Sequence, residues 1–241
     1  MTEPKVRLHI DQPLAEGQAV ALDEGQANYL FAVMRLQVGA ALLLFNGRDG
    51  EWRAEVAEAA KRRGILICRT QTKPQQMPPD LWLLFSPLRK ERTAFLVEKA
   101  VELGVARLLP VSTRYLAGDR FRLEKERAHA VEAAEQCGAT FVPQVEELQS
   151  LDRVLKSWDP ARRLFWADEA LAGQAAAWPE AVPGPAAILI GPEGGFSPEE
   201  KERLRALPYV APLSLGPRIL RAETAALAAL TLWQSHYGDW R

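Results

Sequence analysis

Two apolar runs, each stopped by a glycine loop and each followed at once by a helix start, constrain this chain more than any other feature. Ala186–Ile190 runs into Gly191-Pro192-Glu193-Gly194-Gly195-Phe196, and residues 211–215 run into Gly216-Pro217-Arg218-Ile219-Leu220-Arg221. Both runs read as strands, Ala186–Ile190 apolar throughout and residues 211–215 interrupted by Ser214. After the first loop, Ser197-Pro198-Glu199-Glu200 opens a helix with a capping serine, a proline at the first helical position and a glutamate that completes a capping box. After the second loop a helix begins around Ala222-Glu223-Thr224. Glycine between strand and helix lets the backbone approach a ligand at the carboxyl end of a sheet. The two loops are therefore expected to form opposite walls of one pocket, although each by itself also reads as an ordinary turn. Neither G-x-x-x-x-G-K-[ST] nor G-x-G-x-x-G is present, and Pro192 and Pro217 each remove an N–H that a phosphate would use. A neutral or cationic ligand fits better.

The same strand-then-helix rhythm extends upstream. Leu81–Phe85, residues 107–111 and Arg163–Ala167 read as further strands. Residues 91–103, Leu123–Cys137, Pro198–Ala206 and residues 223–236 read as helices, with Gly104 and Gly138 as stops. Repetition of this unit predicts an α/β domain with a mostly parallel sheet flanked by helices. The stretch Lys73-Pro74-Gln75-Gln76-Met77-Pro78-Pro79 reads as a linker, because proline enforces extended backbone. It divides the chain into residues 1–72, a 73–79 linker and residues 80–241. Before it, residues 40–45, 52–56 and 64–68 are strand-like, Asn46-Gly47-Arg48-Asp49-Gly50 is a hairpin-type turn, and residues 28–36 are helix-like; together they suggest a small β-barrel.

Composition narrows the function classes. Cys68 and Cys137 are far apart and His9, His129 and His236 are isolated, so neither a disulfide framework nor a metal site is expected. No signal-peptide pattern stands at the N-terminus and no window approaches the roughly 18 apolar residues of a membrane span, so a cytoplasmic location is expected. Net charge is −1, so any nucleic-acid surface must be built from local clusters. The candidates are Lys61-Arg62-Arg63, Arg89-Lys90 with Arg92, and Arg114, Arg120, Arg122, Lys125 and Arg127, each of which also reads as a solvated face.

The segments Leu189-Ile190-Gly191-Pro192-Glu193-Gly194-Gly195-Phe196-Ser197 and Leu215-Gly216-Pro217-Arg218-Ile219-Leu220-Arg221-Ala222-Glu223-Thr224-Ala225 resemble the two signature segments of the bacterial small-subunit rRNA uridine-N3 methyltransferases, in the same order and spacing. These belong to the SPOUT superfamily of knotted methyltransferases. The resemblance continues through Phe95-Leu96-Val97-Glu98-Lys99-Ala100-Val101-Glu102-Leu103-Gly104, Arg114, Glu135-Gln136-Cys137-Gly138, and, upstream, Arg7, Asn28, Val33-Met34-Arg35 and Leu44-Phe45-Asn46-Gly47. It departs at Tyr29, where the family usually has histidine, and at Ala139, where it usually has arginine.

The resemblance implies a trefoil-knotted parallel sheet, a PUA-like RNA-binding barrel at the N-terminus, a homodimer, and S-adenosylmethionine as cofactor with small-subunit 16S rRNA as substrate. It places the cofactor on Leu189, Ile190, Gly191, Pro192, Glu193, Gly194 and Gly195 of the first loop. On the second it uses Leu215, Gly216, Ile219, Leu220, Arg221, Thr224 and Ala225. Ile219 and Leu220 suit a face against adenine. Uracil N3 carries a proton and is a poor nucleophile until it leaves, so a proton acceptor and a stabilising cation are needed. Arg221 is expected to stabilise the developing anion, and Glu223 or Glu193 to take the proton; Glu223 also reads as a first-turn carboxylate favoured by the helix dipole. Arg7, Asn28, Arg35, Arg89, Lys99 and Arg114 are the expected RNA contacts, with a snorkelling lysine the alternative at Lys99. A methylated tRNA base, a ribose hydroxyl as acceptor, or a non-catalytic RNA-binding or assembly module are the competing functions.

Overall fold

A computed structural model of the chain describes residues 4–89, 91–116, 121–174, 178 and 184–241. Lys90 and Arg120 of the basic clusters lie outside the described residues. The chain divides into two compact units, one formed by Met1–Met77 with Ala134–Val142, the other by Pro78–Ala133 with Pro143–Arg241. The division falls within the proline-rich stretch read as a linker. The sequence reading, however, puts 134–142 with the second domain, and the structure assigns it to the first.

The first unit holds β1 (Arg7–His9), β2 (Ala19–Leu22), the short α1 (Glu24–Ala27), β3 (Ala41–Phe45), β4 (Glu51–Ala60) and β5 (Arg63–Lys73), hydrogen-bonded in the order β1-β3-β4-β5-β2. β1 and β3 are parallel and the other pairs antiparallel. Alternate residues turn to one side. Leu42 and Leu44, Ala54 and Val56, and Leu66 and Cys68 all enter a single core with Leu8 and Val20, so the sheet curls around its own apolar face. The segment expected as one α-helix over 28–36 is different. Asp23 caps α1 through a capping box with Gln26, and the chain then widens into a π-helix over Asn28–Val33. Its end is marked by Arg35 at φ +58°, the only non-glycine residue of positive φ among the described residues.

The other unit contains β6 (Leu81–Phe85), α2 (Arg92–Glu102), β7 (Arg107–Ser112), α3 (Leu123–Cys137), β8 (Gln144–Val145), β9 (Gln149–Ser150), α4 (Leu151–Lys156), β10 (Arg163–Ala167), β11 (Ala186–Ile190), α5 (Pro198–Ala206), β12 (Val210–Leu213) and α6 (Ala222–Tyr237); the last residues of α3 count with the first unit. Strand order is β12-β10-β11-β6-β7-β8, β9 also pairs with β7, and every pair is parallel. The insertion of β11 between β10 and β6 is consistent with the threaded backbone that the resemblance implies. β6, β10 and β11 carry the most deeply buried side chains of the unit, among them Phe85, Phe165 and Trp166. At their amino ends Arg162 forms a two-pronged pair with Asp80 (2.8 and 2.9 Å), donates to Ala186 O and stacks over Trp82. That clamp leaves the carboxyl ends of the same strands free to build a site.

Candidate active site

A cavity of about 680 Å³ opens at the carboxyl ends of β10, β11 and β12, where parallel α/β sheets bind ligands. Its first wall is the loop after β11. Gly191 stands there because a side chain would collide: a Cβ would lie 2.6 Å from the Phe196 ring. That ring returns to the core edge-on to Trp166, at 5.8 Å between centroids. Gly195 has φ +70°, and its N–H closes a turn on Pro192 O at 2.9 Å. Ser197 then caps α5, its hydroxyl accepting from Glu200 N while Glu200 Oε2 accepts from Ser197 N. The other Glu200 oxygen accepts from Arg114 N at 2.8 Å, which holds the 113–115 turn against this loop.

The second wall is the loop between β12 and α6. Ser214 Oγ accepts from Gly216 N and donates to Gln174 O, fixing a bend in which Gly216 takes φ +106°. Ile219, at 75% exposure, stands on this loop as a bare apolar side chain at the cavity. A third wall was not expected from the sequence: Ala167, Asp168, Glu169 and Ala172, at and just after the end of β10. Only their position beside the other two loops gives them a role, and an Asp-Glu pair at a strand end is too common to signal it.

The expected cofactor residues divide. Ile190 through Gly195, Leu215, Gly216, Ile219, Leu220, Arg221 and Ala225 line the cavity. Leu189 does not; it is fully buried in the core beneath. Thr224 is exposed and outside the lining as well. Arg221 is the N-cap of α6 with no side-chain capping bond; it and Arg218 line the cavity, and neither has an ion pair among the described residues. Glu223 lies in the first turn of α6 just behind the lining, 13% exposed, with Oε1 3.7 Å from Arg92 Nη1 and Oε2 buried without a hydrogen-bond partner.

Acids of the cavity are balanced. Asp168 is paired with Arg205 at 2.9 Å, Glu169 with Lys201 at 2.6 Å, and Glu193 with Arg92. Arg92, at the start of α2, reaches both Glu193 and Glu223. Sequence reasoning had it only in a surface cluster. The fit to a sulfonium nucleoside is good. Ile190, Leu213, Leu215 and Ile219 provide apolar faces, bare glycine backbone lies between them, and carboxylates of Glu169 and Glu193 lie at the wall. Among the described residues no group of three His, Cys, Asp or Glu side chains is placed to hold a metal ion.

Of the expected RNA contacts, Arg7 is accounted for inside its own unit. Nε donates to Glu51 (2.7 Å), Nη1 to the carbonyls of Ala134 and Glu135, and Nη2 to that of Ala139, with the guanidinium over the Phe45 ring. These bonds occupy four of its five N–H groups. Asn28 and Arg35 are exposed at either end of the π-helical segment, and Arg89 and Arg114 are exposed in the other unit. Lys99 is bonded to Glu102 at 2.6 Å, and that bond raises its pKa above the ordinary lysine value.

A parallel sheet of this order, a cavity between glycine loops at its carboxyl edge and a separate curled sheet upstream define the SPOUT class of methyltransferase. The model of an RNA methyltransferase domain matches residues 75–234, and that of an RNA methyltransferase PUA domain matches residues 22–67. The chain belongs to this RNA methyltransferase family. It is 28% identical to ribosomal RNA small subunit methyltransferase E of Rickettsia conorii over 93% of each chain. The enzyme of the same name from Neisseria gonorrhoeae, solved bound to S-adenosyl methionine, superposes with a TM-score of 0.86 at 24% identity, covering 98% of this chain and 99% of that one. A Legionella pneumophila structure in complex with the bound cofactor SAM gives 0.85 at 27% identity, covering 99% and 100%.

Proposed function

We propose that this protein transfers a methyl group from S-adenosylmethionine to N3 of a uridine in 16S rRNA of the small ribosomal subunit. The observation that carries the reading is the two-loop cavity at the carboxyl edge of the parallel sheet, in a chain whose relatives are small-subunit rRNA methyltransferases. Bound there, the cofactor supplies an electrophilic methyl group on a sulfonium; the chain's work is positioning and proton handling. Ile219 and Leu220 would pack on the nucleoside, and main-chain groups of residues 190–195 and 215–216 would hold its polar edges.

The N3 proton passes to Glu223, whose Oε2 is an acceptor without a donor. Loss of that proton would leave the N3 lone pair free to accept the methyl group that the cofactor supplies. Arg221, unpaired at the cavity wall, faces the charge that develops on the uracil. N3 lies on the Watson–Crick edge, so the base must be unpaired or flipped out. Asn28, Arg35, Arg89, Lys99 and Arg114 are the side chains we assign to RNA. The protein works as a homodimer in the cytoplasm; half-exposed Leu227 and Leu232 on α6 and exposed Phe95 on α2 leave apolar surface for a second copy.

The deciding measurement is mass spectrometry of nucleosides from 16S rRNA of a strain lacking this gene, before and after treatment of its small subunits with the protein and cofactor. Gain of N3-methyluridine is expected. A 2′-O-methyl nucleoside, or a product only in tRNA, would overturn the reading.

A further inference from the structure

Arg92 is the one side chain that, among the described residues, ion-pairs with carboxylates from both glycine-loop regions: Nη2 with Glu193 Oε1 of the first loop and Nη1 with Glu223 Oε1 at the start of α6. Its own place is fixed locally. Thr93 Oγ1, buried beside it, accepts from Leu88 N at 2.8 Å and donates to Leu88 O at 3.0 Å, closing the turn that launches α2. Neither Glu193 nor Glu223 has a second cationic partner among the described residues. A buried carboxylate oxygen with no donor is costly in a folded protein and calls for a ligand or a function. Glu223 has one such oxygen, Oε2, while its Oε1 faces Arg92.

We infer that Arg92 is a positioning residue for the proton transfer. It holds Glu223 by Oε1, is itself anchored on Glu193, and so keeps Oε2, closed off just behind the cavity lining, free of intramolecular partners for the N3 proton that the target base brings. This rests on the role given to Glu223 above. Guanidinium is suited to the task because its planar fork presents different nitrogens to two carboxylates, which a single ammonium cannot do at once.

The test is a double-mutant cycle of Arg92→Met and Glu223→Gln, with Arg92→Lys as the conservative variant. Single-turnover transfer is measured on small subunits from the gene-deleted strain, and cofactor affinity by calorimetry without RNA. Arg92→Met is expected to slow transfer by about 10²-fold, the lower end for a general base, while the cofactor Kd changes by less than about threefold. Arg92→Lys recovers part of the rate, and the double variant is no slower than Glu223→Gln alone. Additive losses, or a cofactor Kd that rises in step with the loss of rate, would overturn the role assigned to Arg92. If thermal unfolding shows Arg92→Met to be misfolded, the cycle with Arg92→Lys decides: a lysine loss that adds fully to that of Glu223→Gln sinks the proposal. A Glu223→Gln enzyme at full rate removes Glu223 from the chemistry and the proposal with it. A product other than N3-methyluridine affects only the choice of substrate atom, since the cycle reads the coupling on whichever nucleoside forms.

Discussion

Glu126 shows what a single side chain does when the fold buries it without a partner. It lies in α3 at 6% exposure, with Oε2 unbonded, and burial pushes its carboxyl above the usual glutamate range, a shift that nearby Glu98 adds to and His129 and Lys125 oppose. The folded state therefore holds this proton more tightly than the unfolded chain does. The contribution favours folding below the ordinary glutamate value and is lost as pH rises through the elevated folded value. Glu126→Gln is expected to gain about 1 kcal/mol at pH 7 and to lose that gain near pH 4, read from urea unfolding midpoints at the two pH values. An equal gain at both would dismiss the charge as the cause. At this scale the sequence was an uneven guide. Gly191 through Gly195 and Leu215 through Leu220 announced the cavity because glycine and proline carry their backbone constraints locally. Arg92 and Asp168 did not, since their roles come from where α2 and β10 end in space. For Arg7 and Leu189 the resemblance gave a role but not a place: one side chain bonds a cluster of carbonyls and the other lies in the core.

Among the elements, α5 was legible from its first four residues, and the structure supplies both halves of the capping box. Loss of the serine hydroxyl leaves Glu200 N without its acceptor, so Ser197→Ala is expected to cost about 1 kcal/mol and to lower Tm by roughly 2–4 °C, measured by calorimetry. An unchanged Tm would mean that the proline and the Glu200 bond suffice. β6, β10 and β11 could be read because strands buried on both faces must be apolar throughout. β1, with only Arg7, Leu8 and His9, offers too short a pattern, and β2 is scarcely longer. The π-helix escaped for another reason. Over six residues the apolar spacing of an α-helix and of a wider turn cannot be told apart, and only the hydrogen bond from Met34 N to Tyr29 O shows which one formed. Exposed Asn28 and Arg35 bracket this wide turn.

For the molecule as a whole, the least legible fact is that the first unit is made of two stretches of chain. Its sheet is complete by Lys73, yet residues 134–142 also belong to it. Arg7 shows why: at 11% side-chain exposure, it is bonded to three carbonyls from Ala134, Glu135 and Ala139 as well as to Glu51. Gln76 N and Lys73 Nζ add bonds to Thr140 and Gly138. A fragment of residues 1–77 keeps the guanidinium and its glutamate but loses those carbonyls. A hydrogen bond to a charged group contributes roughly 1.5–3 kcal/mol, and three are lost together. That fragment is expected to lack a cooperative thermal transition by circular dichroism, whereas the intact chain has one. A fragment that melts as sharply and at the same temperature would refute this account. No stretch of sequence hints at such a closure, because it joins residues more than a hundred positions apart.

The split of the first unit also sets a timetable. Chains are made from the amino end, and domains ordinarily fold in that order as they emerge. Here the β1–β5 sheet leaves the ribosome about sixty residues ahead of the helix end that Arg7 must grip. The curled sheet is thus synthesised ahead of the stretch that seals it and is closed late. A truncated product ending before Val142 would lack the carbonyls that Arg7 bonds and would present an unclosed edge to proteases and chaperones.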